Sequence, residues 1–294
     1  MLKTWLFYCS YAVRFIIGRR QPPLVLGLII TDRCNLSCRH CRLASRTGQD
    51  MPAGTILEML RMYHRRGYRD LYLEGGEPFL WRDPAYTLDE IIDEARKIGF
   101  FHVHLYTNGL FPLETHADAI WVSIDGLQRS YTAIRGPHFP RVVKHISEAR
   151  HPRMIIIFTV NQINKSEIEE FLIWVRSSGF RVKGVMFYFH TPYYGIDDLF
   201  IDFEERKRII ATLIRCKRQG LPVFNSYAAL GALKTGLWKR PISVSLVAGL
   251  EGEHVCCRNN EKVTCLHCGY SACAEIVEGQ NLKPSALKVL LGFW

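Results

Sequence analysis

The chain has 294 residues, of which 48% are hydrophobic and 22% charged, a globular balance that excludes intrinsic disorder and collagen-like or low-complexity architectures. Its 38 Lys and Arg against 28 Asp and Glu leave a formal charge of +10. That excess favours anionic partners, namely a membrane surface, a nucleic acid, or a phosphorylated or carboxylated substrate, beside the plain reading of a basic enzyme. Ten cysteines, with no A-x-A cleavage site after the N-terminal segment, point to a reducing compartment. There, clustered cysteines mean metal or iron–sulfur chemistry before disulfides.

Residues 1–20 form a basic, aromatic segment too short, and too interrupted by Arg14, to span a membrane. At helical spacing Lys3, Ser10 and Arg14 share one side, and Leu2, Trp5, Phe15 and Ile16 lie away from them. Such a helix suits a membrane interface; the alternative is packing on the domain's own surface. From residue 24 the pattern turns regular. Apolar runs rich in β-branched and aromatic residues occur at 24–31, 70–74, 102–107, 119–125, 154–160 and 182–190. Helix-like stretches fall at 55–66, 87–98, 139–150, 166–178 and 203–218, and Gly67, Gly99 and Gly179 suit helix C-termini. Near-continuous apolar strands alternating with helices predict an α/β fold with a covered parallel sheet. Six units fall short of a closed eight-fold barrel. The expected organisation is an N-terminal helix (1–20), a partial barrel (21–220) and a cysteine-bearing cap and tail (221–294).

The first strand runs directly into Cys34, Cys38 and Cys41, spaced C-x3-C-x2-C. Three thiolates on one loop can converge on an iron–sulfur cube and leave one iron open to a small chelating ligand. Zinc is the alternative, but structural zinc wants four ligands.

With these cysteines the sequence resembles the radical S-adenosylmethionine (radical SAM) superfamily, and later segments fall where that family places its motifs. Glu74-Gly75-Gly76-Glu77-Pro78 is similar to its GGE motif, Thr107-Asn108-Gly109 ends the third strand, and Val122–Gly126 ends the fourth. The resemblance implies a partial (β/α)6 barrel holding a [4Fe–4S] cluster on Cys34, Cys38 and Cys41. It implies that Gly75, Gly76 and Glu77 hold the methionine ammonium. Ser123 and Asp125 then contact ribose hydroxyls, Asn161 adds a polar contact, and His40 packs near the adenine. Either Ser123 or Asn161 is also readable as a plain turn former. The partners implied are S-adenosylmethionine and an electron donor such as flavodoxin or ferredoxin, and the product is a 5′-deoxyadenosyl radical.

The cap carries Cys256, Cys257, Cys265, Cys268 and Cys273. A second cluster on Cys256, Cys265, Cys268 and Cys273, a zinc site, or metal-free thiols all fit the spacing. A narrower resemblance, to the adenosylhopane synthase group, rests on the basic N-terminal segment, Phe224-Asn225-Ser226, Cys268-Gly269-Tyr270 and Lys283–Lys288. Where that group has a cysteine before Thr-Asn on the third strand, this chain has Tyr106; either the phenol hands on the hydrogen atom, or the chemistry differs. The expected function is radical chemistry on a membrane lipid or isoprenoid, by adenosyl addition or C–C bond formation. Phe293 and Trp294 support that membrane setting, with a cytoplasmic enzyme peripheral to the bilayer. The alternative is peptide or protein modification with an auxiliary cluster. A non-enzymatic iron–sulfur scaffold ranks third, and no basic–aromatic tract supports nucleic acid.

Overall fold

The computed structural model describes residues 4, 6–8, 10–11, 13–14, 22–41, 48–193, 195–240, 243–255 and 265–293. The strands in chain order are β1 (Val25–Thr31), β2 (Asp70–Gly75), β3 (His102–Thr107), β4 (Ala119–Ser123), β5 (Met154–Val160), β6 (Val182–Phe189), β7 (Ser245–Gly249) and β8 (Gly252–Val255). The helices are α1 (Ala53–Arg66), α2 (Leu88–Ile98), α3 (Gln128–Arg135), α4 (Phe139–Glu148), α5 (Ile168–Ser177), α6 (Phe203–Arg218), α7 (Tyr227–Thr235), α8 (Ser271–Gln280) and α9 (Pro284–Phe293). The strands β1 to β8 form one sheet in the order β6-β5-β4-β3-β2-β1-β7-β8. Every pairing is parallel except the last, β7 with β8.

The six expected strands are all present. Their apolar runs are near-continuous because both faces are covered. Alternate residues such as Leu26, Leu28 and Ile30 of β1 meet α1 and α2, while Val122, Ile156 and Phe187 meet α4 to α6. On the opposite face Ala119, Trp121, Ile155, Ile157, Met186 and Tyr188 pack against Val289 and Leu290 of α9 and Ala272 of α8. Gly67 and Gly99 end α1 and α2 at φ 107 and 119, left-handed conformations that glycine adopts without a Cβ penalty.

Two features depart from the sequence pattern. No helix lies between β3 and β4 among the described residues, and α3 precedes the expected α4. Gly136, at φ 93, separates α3 from α4, and Pro140 opens α4. Residues 221–294 are joined to the barrel at both edges of its sheet. Val185 N–H donates to Pro222 O at 2.7 Å and Phe224 N–H to Val185 O at 2.8 Å, while β7 pairs with β1.

The described residues between Thr4 and Arg14 are helical and dock on the barrel. Tyr8 OH donates to Asp70 Oδ1 at 2.6 Å, and Tyr11 OH donates to Pro22 O at 2.9 Å. Phe7 stacks edge-on with Phe101, and Arg69 lies over its ring. Phe7, Tyr8 and Tyr11 therefore pack on the domain's own surface. Lys3, Trp5, Phe15 and Ile16, which carried the interfacial reading, lie outside the described residues, as do Trp294 and the side chain of Phe293. Among the described residues no helix is long and apolar enough to cross a membrane.

A titratable tie holds the C-terminal helices. Glu275 of α8 is fully buried and accepts from Ser226 N–H at 2.7 Å through Oε1, and Oε2 has no hydrogen-bond partner. Burial pushes its pKa up to about 7, against the lowering pull of Ser226 and Lys217. Below the unfolded value of 4.5 both states are protonated. As pH rises from 4.5 to 7 the unfolded chain releases this proton and the folded chain keeps it, so stability falls across that window. Full ionisation should cost about 3 kcal/mol by linkage. Urea denaturation at pH 5 and pH 8 should show Glu275→Gln gaining on the parent protein at the higher pH. Equal gains at both would remove Glu275 as the source.

Candidate active site

The loop that leaves β1 is fixed before it reaches its first cysteine. Thr31 Oγ1 donates to Asp50 Oδ1 at 2.6 Å, and Arg33 Nη1 donates to Asp50 Oδ2 at 2.9 Å. Further on, Arg39 N–H donates to Ile134 O of α3 at 2.9 Å, and Asn108 Nδ2 to Asn35 Oδ1 at 2.7 Å. Held at these points, the loop brings Cys34, Cys38 and Cys41 to the wall of one cavity of about 230 Å³ of water-accessible space. Burial raises the Cys34 thiol, and raises the Cys38 thiol to about 11 against the pull of Arg135. In the metal-free protein these two groups therefore favour the protonated thiol, and cluster binding would displace the protons.

Among the described residues no three His, Cys, Asp or Glu side chains converge on a single metal-ion position. Three thiols facing one cavity instead suit the cysteine ligation of an iron–sulfur cluster. Cys265 and Cys268 are partly buried ahead of α8, and Cys273 is buried on α8, within electrostatic reach of Tyr72 and Tyr188. Cys256 and Cys257 lie outside the described residues.

The two glycines of the GGE segment lie against the cysteine loop. Gly76 N–H donates to Thr31 O at 2.9 Å, and Glu77 N–H to Arg33 O at 2.8 Å, so this segment is sewn to the start of the cysteine loop. Both Gly75 and Gly76 line the cavity, with Glu74. A Cβ on Gly75 would stand 2.2 Å from Thr31 O, and one on Gly76 would stand 2.2 Å from Arg33 O.

The acids of the motifs are placed otherwise. Glu77 is fully buried behind the cavity wall. Its Oε1 accepts from Thr107 Oγ1 at 2.8 Å and Phe79 N–H at 3.2 Å, and its Oε2 from Asn108 N–H at 2.7 Å. Burial raises its pKa to about 7. Through these bonds Glu77 ties the GGE segment to the end of β3. Asp125 is likewise fully buried, because β4 ends at Ser123 and the chain turns before Asp125. Its Oδ1 accepts from Thr159 N–H at 2.6 Å and its Oδ2 from Arg135 Nε at 2.7 Å. Ser123 lines the cavity, and Asp125 sits just behind the wall residues His40 and Arg135. Asn161 is a turn former: it is fully buried, donates to Thr159 O and accepts from Ile163 N–H at 2.9 Å.

His40 does line the cavity, with Nε2 3.7 Å from Asp125 Oδ2. Its Nδ1 is buried without a hydrogen-bond partner, and burial lowers its pKa to about 4, so the ring is neutral near pH 7. Tyr106 also lines the cavity; its ring stacks on Trp121 at 5.6 Å, and burial raises its pKa well above the ordinary value.

Several wall residues escaped the sequence pattern. Tyr188 and His190 come from the end of β6, Thr159 from β5, and Tyr270 from the turn before α8. Arg135 comes from α3, and the Arg-Gly pair at its end was the only sign of a helix stop there. Tyr270 packs edge-on against Tyr188 at 5.0 Å, and His190 Nε2 lies 3.0 Å from both carboxylate oxygens of Asp197. The later segments of the narrower resemblance also meet. Asn225 pairs with the backbone of Phe187 through both ends of its amide. Gly269 N–H donates to Thr191 Oγ1, and Ser285 Oγ accepts from Ala228 N–H. These positions have structural duties.

Residues 28–175 match the Radical SAM superfamily. The GTP 3′,8-cyclase of Aquifex aeolicus is 28% identical over 170 residues, covering 55% of this chain and 47% of that protein. The sporulation killing factor maturation protein SkfB of Bacillus subtilis is 28% identical over 207 residues, covering 64% of this chain and 48% of that protein. The chain thus spans about half the length of these curated relatives. Among solved structures, Streptococcus suis SuiB bound to its precursor peptide SuiA superposes with a TM-score of 0.62 at 12% identity, over 92% of this chain and 69% of that one.

Proposed function

The chain belongs to the radical SAM superfamily, and we propose that it is a radical enzyme acting on a peptide or protein. A [4Fe–4S] cluster with S-adenosylmethionine would supply hydrogen-atom abstraction at this cavity. In this reading Cys34, Cys38 and Cys41 hold the cluster, and an electron donor of the flavodoxin or ferredoxin class serves it. Gly75 and Gly76 admit the methionine end by close backbone approach. Ser123 offers a hydroxyl to the ribose, and His40, held neutral, offers a ring face. Tyr106 faces the same space, where its phenol can donate a hydrogen atom to a product radical.

One observation carries the choice of substrate. Beyond the cysteine and glycine loops, the cavity is lined among the described residues by Tyr106, Tyr188, Tyr193, Tyr270, Thr159 and Thr191, together with apolar Leu36, Ile157 and Phe189. Hydroxyls set among aromatic rings can meet both the amides and the side chains of a peptide. The likeness to SkfB, a maturation protein by name, supports the same reading. The lipid and adenosylhopane reading has no comparable support in the described residues.

The test is anaerobic incubation of the reconstituted protein with S-adenosylmethionine and a reductant, offering in turn the small peptides encoded beside its gene and a membrane lipid extract. A mass change in a peptide, coupled to 5′-deoxyadenosine release, is the expected outcome. An adenosylated lipid with unmodified peptides would overturn it.

A further inference from the structure

Arg135 is the one cation the fold places against a cysteine of the triad by hydrogen-bond geometry among the described residues. Its Nη1 lies 3.8 Å from Cys38 Sγ, and its Nε donates to Asp125 Oδ2 at 2.7 Å. The guanidinium is 8% exposed and Asp125 fully buried. Asp125 is itself anchored at the far side by Thr159 N–H, and its backbone carbonyl accepts from Asn164 Nδ2. The arginine is therefore aimed by a fixed acid and has little freedom to swing into the cavity. The same helix end holds the cysteine loop through Ile134 O and Arg39 N–H.

A buried, permanently charged guanidinium costs much desolvation unless it does electrostatic work. Asp125 balances its charge in part, yet a carboxylate pair alone could be met by a shorter bond network away from the sulfur. Fixed cations and N–H donors beside cluster sulfurs stabilise the more negative, reduced state and raise the reduction potential. We propose that Arg135 is a positioning residue that raises the reduction potential of a cluster held at Cys34, Cys38 and Cys41, by donating to Cys38 Sγ. The inference rests on those cysteines being the ligands and is independent of the substrate. The step concerned is a one-electron reduction: the external donor loses one electron, the cluster gains it, and no bond breaks. No proton need move, because Arg135 carries its charge throughout the working pH range.

The titratable groups facing Arg135 are Tyr131 of its own helix, Asp125 and Glu77, with Cys34, Cys38 and His40 of the cysteine loop. Burial opposes its charge, but Asp125, Cys38 and Tyr131 outweigh it and raise its pKa further.

The experiment compares the full chain with Arg135→Lys, Arg135→Met and the double variant Asp125→Asn/Arg135→Met, each reconstituted anaerobically. The double variant removes both buried charges together and keeps an acceptor for Thr159 N–H, so it provides a folded comparison should the single Met variant fail to fold. Iron content is read first, and absence of a cluster in the parent protein would refute the ligand assignment and not the role of Arg135. Redox titration followed by electron paramagnetic resonance then gives the midpoint potential. The Met variants should shift at least tenfold against reduction, about 59 mV more negative for a one-electron couple. Lys keeps the charge but cannot serve Asp125 and Cys38 with one planar fork, and should fall between. Coincident potentials in the parent protein, the Lys variant and whichever Met variant loads a cluster would overturn the proposal.

Discussion

Replacing Cys34, Cys38 and Cys41 together by alanine is expected to abolish both iron binding at the cavity and reductive cleavage of S-adenosylmethionine. The three thiols face one space, and nothing else in its wall matches thiolate as an iron ligand. The fold should survive. Cys34 and Cys38 only border the core, and the loop keeps its anchors at Asp50, Ile134 and Asn108. Iron analysis and the visible spectrum after anaerobic reconstitution, beside a thermal melt, separate loss of ligands from loss of structure. Iron that persists in the triple variant would place a second cluster in the cap, on a set that includes Cys265 and Cys268. A triple variant that still releases 5′-deoxyadenosine at the parent rate would end the radical reading of this cavity.

The sequence made the sheet legible because each strand is covered on both faces, so its residues are apolar whichever way they point. Helices α1, α2, α4, α5 and α6 were legible for the converse reason, an apolar stripe against a charged face. Helix α3 was not. Gln128-Arg129-Ser130 opens it with polar residues, and its buried set includes Ser130 and Arg135 beside Tyr131 and Ile134, so no apolar period announces it. The candidate site divided in the same way. Cysteines and glycines were readable because their chemistry lies in the backbone or in a sulfur that nothing else supplies. The acids were less readable, since a carboxylate beside a ligand-binding loop can reach the ligand, hold the loop, or both. Their burial and their bonds to Thr107, Asn108, Thr159 and Arg135 are features that a single sequence does not display. β7 was missed for another reason: five residues, Ser245–Gly249, beyond a change in pattern give too short a run to announce a strand.

Substituting alanine for Gly76 should damage the site more than any change to its acids. The new methyl would lie 2.2 Å from Arg33 O, 2.6 Å from Arg33 C and 2.9 Å from Asp32 O. All three are backbone atoms, so no side chain can swing aside to make room. Either the GGE segment or the cysteine loop must move, and the two are joined by the bonds from Gly76 N–H to Thr31 O and from Glu77 N–H to Arg33 O. Overpacking of this kind costs about 3 kcal/mol or more. Because both moving pieces line the cavity, the loss should fall on ligand binding as well as on folding. The expected result is at least a tenfold weaker affinity for S-adenosylmethionine in cluster-loaded protein, about 1.4 kcal/mol, with a lowered denaturation midpoint. The control is Gly54→Ala, in the first turn of α1, where a Cβ would meet nothing within 4 Å. There alanine should leave binding unchanged and raise stability by a few tenths to about 1 kcal/mol, since it restricts the unfolded chain and favours helix. Calorimetry of S-adenosylmethionine binding on both variants would settle the contrast. Wild-type affinity in Gly76→Ala would mean that the close approach of this backbone to the cysteine loop has no part in holding the ligand.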